Sequence, residues 1–254
     1  MASRSIAAVE RGSWRAWSRV ALIILCLVLF VPPHVLWRRL GLHSPWGGWF
    51  LNMSAKAAGA NVRVTGTPVT RDVLYIANHI SWLDILVLAG RTHCAFVAKA
   101  DMEPWPVLGW LATLNNSVYV QRDKRLDVNA QAIAIRTALA THQPITLFPE
   151  GTTGNGLAIL PFRSSLIASV VPPPNDITIQ PVAIDYGVVA PEIAWVDDDE
   201  SVGHNALRVM GRKGRMEVTL HFLDPLPSTD FADRKLMASH SRAVIAAALG
   251  QAVA

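Results

Sequence analysis

The stretch that decides the fold is DVLYIANHISWLDILVLA, residues 72–89. Its first seven residues hold the apolar run Val73–Ala77, which is typical of a buried strand, and Ser81–Ala89 has the pattern of a helix. The polar corner between them carries His79, and the first turn of the predicted helix carries Asp84. The stretch therefore predicts a strand, a loop and a helix, with two titratable side chains where the strand ends.

The same alternation continues along the chain, which has 254 residues and is 51% hydrophobic. That length suits one α/β domain with an accessory segment. We expect a mixed, largely parallel sheet flanked by helices, in which ligands bind at the carboxyl ends of strands. Further strands are predicted at 61–66, 94–100, 117–122, 144–150, 177–187 and 215–226, and further helices at 105–114, 129–140, 164–171 and 232–249.

Residues 1–60 differ in composition from the rest. They hold seven basic residues against one acidic residue, and five of the nine tryptophans. Arginine and tryptophan around the apolar run Val20–Val31 are typical of a membrane interface, so we expect membrane-anchoring helices here. A single span and a hairpin that turns back at Pro32 and Pro33, with Leu42–Ala60 as its return helix, both stay open. The long basic segment that precedes Val20 disfavours a cleaved signal peptide.

Two interpretations of His79 and Asp84 also stay open from the local sequence. Within one continuous helix, side chains five positions apart would point about 140° away from each other. With His79 in the loop, its imidazole can fold back onto the carboxylate and act as a general base. Ser81 and Asp84 equally have the spacing of a helix capping box, which explains the aspartate without catalysis.

Other polar residues follow further predicted strands. The loop LFPEGTTGNG, residues 147–156, is rich in glycine and threonine, so its N–H and hydroxyl groups suit an oxyanion or a phosphate. It is not a nucleotide-binding P-loop, because no Gly-Lys-Ser/Thr follows. Arg122, Arg163 and Lys99 stand near the ends of predicted elements, where a cation suits phosphate or carboxylate groups.

Several classes of protein are disfavoured by what the sequence lacks. It has no G-x-S-x-G motif of an α/β-hydrolase, and its histidines do not have the H-E-x-x-H spacing of zinc proteases. Cys26 and Cys94 are too few for a disulfide framework and suggest a reducing compartment. We interpret Cys94 as a buried structural thiol.

Four segments, in order along the chain, resemble the motif blocks of a known family. NHISWLD, SVYVQR, FPEGTTGNG and IQPVAIDY are similar to the four blocks of the lysophospholipid acyltransferases. This is the glycerol-phosphate acyltransferase superfamily, which includes 1-acylglycerol-3-phosphate acyltransferase. The resemblance covers roughly residues 60–190. It implies an acyltransferase domain over residues 61–254 and favours the catalytic interpretation of His79.

By this resemblance, His79 is the base that deprotonates the hydroxyl group of a lysolipid, and Asp84 orients it. The hydroxyl group attacks an acyl thioester, either acyl-CoA or acyl-carrier protein. The resemblance implies neither a metal nor a prosthetic group, and no nucleic acid is expected as a partner. The residues expected to bind the acceptor headgroup are Arg122, Glu150, Gly151, Thr152, Arg163 and Lys99.

The third block departs from the commonest pattern of the family, which continues Glu-Gly-Thr-Arg-Ser. Thr153 and Gly154 stand in the last two positions, as in bacterial members that include lyso-ornithine lipid acyltransferases. We favour lysophosphatidate as the acceptor because that role is the more general one, with lyso-ornithine lipid as the alternative. A non-catalytic lipid-binding protein and a thioester hydrolase are further alternatives. The expected location is a bacterial-type inner membrane, with the active site facing the cytoplasm.

Overall fold

A mixed sheet of seven strands forms the centre of the computed structural model, which describes residues 14–42, 44–100, 108–120, 128–171, 173, 177–196, 200–229 and 233–251. The strand order is β1-β7-β6-β2-β5-β3-β4, and β7 runs antiparallel to β6 while the other neighbours are parallel. The predicted α/β fold is confirmed. The strands are β1 (Ala60–Thr65), β2 (Val73–Ala77), β3 (Ala95–Lys99), β4 (Val118–Val120), β5 (Ile145–Leu147), β6 (Thr178–Asp185) and β7 (Met216–Phe222).

Helices cover both faces of the sheet. They are α1 (Trp14–Arg39), α2 (Trp46–Ala57), α3 (Leu83–Thr92), α4 (Leu108–Leu114), α5 (Val128–Leu139), α6 (Ser164–Ile167), α7 (Ala190–Ile193), α8 (Val202–Gly211) and α9 (Arg234–Ala248). The core on one face includes residues of α2, α3 and α8, and the core on the other includes residues of α5, α6 and α9. The sequence pattern predicts no helix where α7 and α8 lie.

Strand β2 lies at the middle of the sheet and is buried throughout. Val73, Tyr75 and Ala77 belong to the core on one face, whereas Leu74 and Ile76 belong to the core on the other. Side chains alternate between the faces of a strand, so a strand that is covered on both sides needs an apolar residue at every position. This explains the continuous apolar run that opens residues 72–89.

The N-terminal helices form a hairpin. Helix α1 continues through Pro32 and Pro33, so the alternative in which the chain turns back at the prolines is wrong. The chain turns after Arg39 instead, and Val31 of α1 packs with Phe50 of α2. Proline removes a helical hydrogen bond, but packing against a neighbouring helix can hold the helix together there. The expected return helix is present as α2.

Helix α2 is pressed against α3. A β-carbon at Gly90 of α3 would lie 2.8 Å from the Cα and N atoms of Asn52 in α2, so only glycine fits at this crossing.

Among the described residues, α1 is the one helix that is long and apolar enough to cross a membrane by length and composition, and only 11% of its apolar window is buried. The division of the chain at residue 60 into an anchor and a catalytic domain stays a prediction.

Candidate active site

The candidate site lies where three neighbouring strands end. Strands β5, β2 and β6 are parallel to one another, so their carboxyl ends meet at one edge of the sheet. His79 follows β2, Glu150 follows β5, and Tyr186 follows β6 directly. The sheet thereby brings together side chains that are far apart in sequence.

His79 and Asp84 form the pair that the sequence suggested. The Nδ1 atom of His79 lies 2.8 Å from Oδ2 of Asp84, and the imidazole ring stacks on Phe148 at 4.1 Å between ring centroids. The Asp84 side chain is fully buried, whereas the His79 side chain is 18% exposed. Because Nδ1 faces the carboxylate, Nε2 is the nitrogen that is left to take up a proton.

The Asp84 carboxylate is held by four donors. Besides His79, its Oδ2 atom accepts hydrogen bonds from the backbone N–H groups of Ile80 at 2.8 Å and Ser81 at 3.0 Å. Its Oδ1 atom accepts one from the hydroxyl group of Tyr186 at 2.7 Å. Hydrogen bonds from several donors favour the ionised form of a buried carboxylate. Asp84 can therefore orient the imidazole and stabilise its protonated form.

The predicted capping box is present in part. The Asp84 carboxylate accepts from the Ser81 N–H, as such a box requires. Helix α3 begins only at Leu83, however, and the Ser81 hydroxyl oxygen accepts from the Leu83 N–H at 3.3 Å instead of from Asp84. Asp84 thus caps the loop before α3 and pairs with His79 at once, so the two interpretations are compatible.

Glu150 is buried behind the histidine. Its Oε1 atom accepts from the backbone N–H of His79 at 2.7 Å, and Oε2 accepts from that of Leu160 at 3.2 Å. Burial raises the pKa of the Glu150 carboxyl to about 8, although these two N–H groups act in the opposite direction. The side chain joins the loop after β2 to the loop after β5. Its expected role as a headgroup ligand stays a prediction.

The glycine- and threonine-rich loop also supports the histidine. The N–H of Gly154 donates to the carbonyl oxygen of His79 at 2.8 Å. The Thr153 hydroxyl donates to the carbonyl oxygen of Trp195, and the Trp195 N–H donates to the carbonyl oxygen of Ile80 at 2.8 Å. Threonine and glycine, which replace the arginine and serine of the commonest motif, are therefore used to hold the loop that carries His79.

The remaining predicted ligands are distributed around this centre. Thr152 is exposed, and so is Arg163, which immediately precedes α6. A β-carbon at Gly151 would lie 3.3 Å from Cδ and Nε of Arg163, so the arginine side chain passes over the glycine backbone. Lys99 ends β3, and its side chain lies outside the part of the structure that is described. Arg122 also lies outside the described residues.

Three residues at the site were missed as functional candidates. Tyr186 lies inside the strand predicted at 177–187, whereas β6 ends at Asp185, so the prediction did not mark Tyr186 as a residue of the sheet edge. Asn78, the neighbour of His79, pairs with the backbone of Ile184. Trp195 comes from a segment for which no structure was predicted. The described residues contain no group of three or more histidine, cysteine, aspartate or glutamate side chains that could hold a metal ion.

Comparison with known proteins fits this geometry. A family profile described as Acyltransferase matches residues 61–185. A lyso-ornithine lipid O-acyltransferase of Pseudomonas aeruginosa is 32% identical over 80% of this chain and 78% of its own length. A 1-acyl-sn-glycerol-3-phosphate acyltransferase of Neisseria gonorrhoeae is 36% identical, but over 39% of each chain.

A solved structure shows the same fold. The crystal structure of the 1-acyl-sn-glycerophosphate acyltransferase of Thermotoga maritima superimposes with a TM-score of 0.65, covering 93% of this chain and 94% of its own at 20% identity. The histidine and aspartate pair, the loop that supports it and the family match agree with one another. The chain belongs to the acyltransferase family.

Proposed function

We propose that the protein transfers a fatty acyl group from an acyl thioester to the hydroxyl group of lyso-ornithine lipid. The observation that carries the proposal is the His79–Asp84 pair, which is the part of the site that can remove a proton from a hydroxyl group. The donor is acyl-CoA or acyl-carrier protein. We infer the acceptor from the threonine at position 153, where the commonest motif has an arginine, and from the similarity to lyso-ornithine lipid acyltransferases over most of the chain.

The reaction needs one proton to move twice. Nε2 of His79 takes the proton of the acceptor hydroxyl group while the oxygen attacks the carbonyl carbon of the thioester. A new C–O bond forms, the C–S bond breaks, and the thiolate leaves with the proton that His79 returns. Asp84 holds the imidazole by Nδ1 and stabilises its positive charge during the step. No covalent acyl-enzyme is needed.

The choice of acceptor is supported by the environment of Thr153. In the commonest motif an arginine stands at this position, and an arginine suits the phosphate group of lysophosphatidate. Here the position is filled by a buried threonine whose hydroxyl group is bound to the Trp195 carbonyl oxygen. The ornithine headgroup carries a carboxylate and an amine in place of the phosphate. The exposed Arg163 beside Gly151 suits that carboxylate.

The contacts of helix α1 favour a protein that attaches to a membrane surface over one whose helix crosses the membrane. Near its start, Arg19 donates to the carbonyl oxygens of Met210 and Gly214 at 3.0 and 2.7 Å. Near its end, Arg38 donates to that of Leu114 at 2.6 Å. Hydrogen bonds to the body at both ends of α1 favour a helix that stays against the body over one that spans a bilayer. Exposed apolar residues form a stripe along its other side: Trp17, Leu22, Leu25, Val28, Leu29 and Leu36.

We infer that α1 lies along the membrane surface with this stripe in the lipid. The free cysteines Cys26 and Cys94 suit a reducing compartment and support the cytoplasmic face of a bacterial inner membrane. Replacing Leu25 and Leu29 together by aspartate should reduce binding to vesicles by about tenfold or more, because charged groups enter lipid at a high cost. Leu236→Asp, at a similarly exposed leucine of α9, is the matched control. Equal vesicle flotation of both variants would contradict the inference.

The proposed reaction is tested by an acceptor competition. The purified protein in vesicles is offered lyso-ornithine lipid, lysophosphatidate and lysophosphatidylcholine together, with acyl-CoA or acyl-carrier protein, and the products are identified by mass spectrometry. We expect ornithine lipid as the main product, and none with His79→Ala. Preference for lysophosphatidate would overturn the acceptor. Fatty acid release without lysolipid would indicate a thioester hydrolase, and lipid binding without turnover would indicate a lipid-binding protein.

A further inference from the structure

A buried hydroxyl group touches the catalytic carboxylate from the side that His79 does not use. The Tyr186 side chain is only 2% exposed, and its hydroxyl group donates to Oδ1 of Asp84 at 2.7 Å. The imidazole of His79 occupies the other oxygen, Oδ2. The three side chains therefore form one chain of hydrogen bonds, with Asp84 in the middle.

The position of Tyr186 is fixed by an extension of strand pairing. The last paired residues of β2 and β6 are Ala77 and Val182. Beyond them, the amide side chain of Asn78 donates to the carbonyl oxygen of Ile184 at 3.1 Å and accepts from its N–H at 2.8 Å. These two bonds hold the end of β6 beneath the loop that carries His79. Tyr186 follows two residues later and reaches the carboxylate.

The phenol stays a donor over the working pH range. Burial, and then the negative charge of Asp84, raise the pKa of Tyr186 well above its ordinary value. Besides His79, the Glu150 carboxyl group interacts electrostatically with Asp84, and it is joined to the backbone of His79. Arg242 lies on the far side of Glu150 and donates to the Leu160 carbonyl oxygen at 3.2 Å.

We propose that Tyr186 is a positioning residue. Its hydrogen bond fixes the Asp84 carboxylate and partly neutralises the negative charge of that group. The proposal rests on the proposed function only in taking His79 as the base. A donor on Oδ1 makes the carboxylate a weaker partner for a protonated imidazole. Without the donor, Asp84 would stabilise the imidazolium more strongly. His79 would then be neutral, and able to accept a proton, only at higher pH.

Tyr186→Phe removes the donor and keeps the ring. We expect kcat at neutral pH to fall about tenfold while KM changes less than about twofold, because the carboxylate that orients His79 is held less firmly and no substrate contact changes. The acid limb of the pH–rate profile should move up by about half to one pH unit. A structural role alone would leave that limb in place.

Tyr75→Phe is the matched control. Tyr75 is buried in the same core cluster as Tyr186, and its hydroxyl group donates to the carbonyl oxygen of Val69, in the loop before β2. Its loss should lower the melting temperature but leave the pH–rate profile unchanged. If the two variants changed the profile equally, or if Tyr186→Phe changed neither kcat nor the acid limb, the proposal would be wrong.

A second measurement does not depend on the reaction. In the protein labelled with ¹⁵N-histidine, the imidazole signals of His79 can be followed against pH in detergent micelles, with His79→Ala used for assignment. The midpoint of the His79 titration should move to higher pH in Tyr186→Phe and stay in place in Tyr75→Phe. Unchanged midpoints would overturn the role of Tyr186. A shifted midpoint in a protein that acylates no lysolipid would contradict the proposed function instead.

Discussion

Strand β2 has a histidine and aspartate pair at each end. At its carboxyl end, His79 and Asp84 are 2.8 Å apart, and at its amino end, His142 and Asp72 are 2.6 Å apart. The side chains of the second pair are 57% and 40% exposed, whereas Asp84 is fully buried. Hydrogen-bond length does not distinguish the two pairs. What distinguishes them is the surroundings.

Those surroundings differ in what holds the carboxylate. Asp84 receives donors on both oxygens, and the ring of His79 is stacked against Phe148. Asp72 and His142 lie in turns with positive φ angles of 51° and 62°, before β2 and β5 respectively. An ion pair in water contributes little, while a buried and fully bonded pair keeps one geometry. The comparison teaches that a histidine and an aspartate in contact are not enough. The sheet edge and its loops are what hold the His79–Asp84 pair in one geometry.

The largest difference between the two ends should appear with Asp84→Asn and Asp72→Asn. The first replacement removes the charge that stabilises the imidazolium, so we expect a loss of about 100-fold or more in kcat. The second should leave kcat unchanged within about twofold, since it touches an exposed pair only. Both are measured by the acyl-transfer assay at fixed donor concentration, with circular dichroism to confirm folding. A large loss from Asp72→Asn would break the comparison.

The second prediction concerns Glu150, for which the amino end of β2 has no counterpart among the described residues. Its folded-state pKa of about 8 lies above the ordinary value of 4.5, so the folded protein binds the proton more tightly than the unfolded chain. The stability of the wild type should therefore fall as pH rises from about 4.5 to 8, by up to a few kcal/mol. Glu150→Gln cannot ionise and should lose less stability over that interval.

Thermal melting at pH 5, 6, 7 and 8 measures this difference. The gap in melting temperature between Glu150→Gln and the wild type should shift in favour of the variant as pH increases. Parallel curves for the two proteins would contradict the raised pKa. Glu217→Gln, in an exposed residue of β7, serves as the control and should follow the wild type.

Ser81→Ala should have a smaller effect. The hydroxyl oxygen of Ser81 accepts from the Leu83 N–H where α3 begins, and the loss of such a cap costs about 1 kcal/mol. The contacts of Asp84 use the backbone of Ser81, and alanine keeps that N–H group. We expect a lower midpoint in chemical denaturation with kcat within about threefold of the wild type. A loss as large as that of Asp84→Asn would show that the hydroxyl group takes part in the reaction.

The smallest effect is expected from His142→Ala. The bond to Asp72 is exposed, so its removal should change the free energy of unfolding by less than about 0.5 kcal/mol. Raising the salt concentration should shrink that difference further, because exposed charges are screened. Urea denaturation at low and high salt measures both. A substantial loss of stability would mean that the amino end of β2 is held by this pair.

Much of the fold could be predicted from the sequence because it depends on local patterns. The continuous apolar run of β2 follows from its burial on both faces, and the polar corner after it follows from the end of the strand. The pairing of His79 with Asp84 was predictable from the spacing together with the resemblance. The turn of the N-terminal hairpin was not, since packing of Val31 against Phe50 outweighs the two prolines.

What the sequence concealed at the site comes from contacts between distant segments. Tyr186 is 102 positions from Asp84 in the chain, and only the register of β6 against β2 brings them together. The inward direction of Glu150 likewise depends on the N–H groups of His79 and Leu160, which no local pattern reveals. Thr153 was noticed as a departure from the common motif. Its bond to Trp195 involves a segment for which neither a helix nor a strand is predicted.

The bonds that fasten both ends of α1 to the body bear on how a membrane grows. With α1 on one membrane surface, as proposed above, the enzyme would take its single-chain acceptor from the leaflet it touches and return a two-chain product to that leaflet. Each turnover then adds area to one leaflet only. Vesicles that carry the protein outside should gain acyl chains in the outer leaflet only, while the number of lipid molecules there stays the same, and growth of the whole bilayer would need separate machinery that moves lipid across.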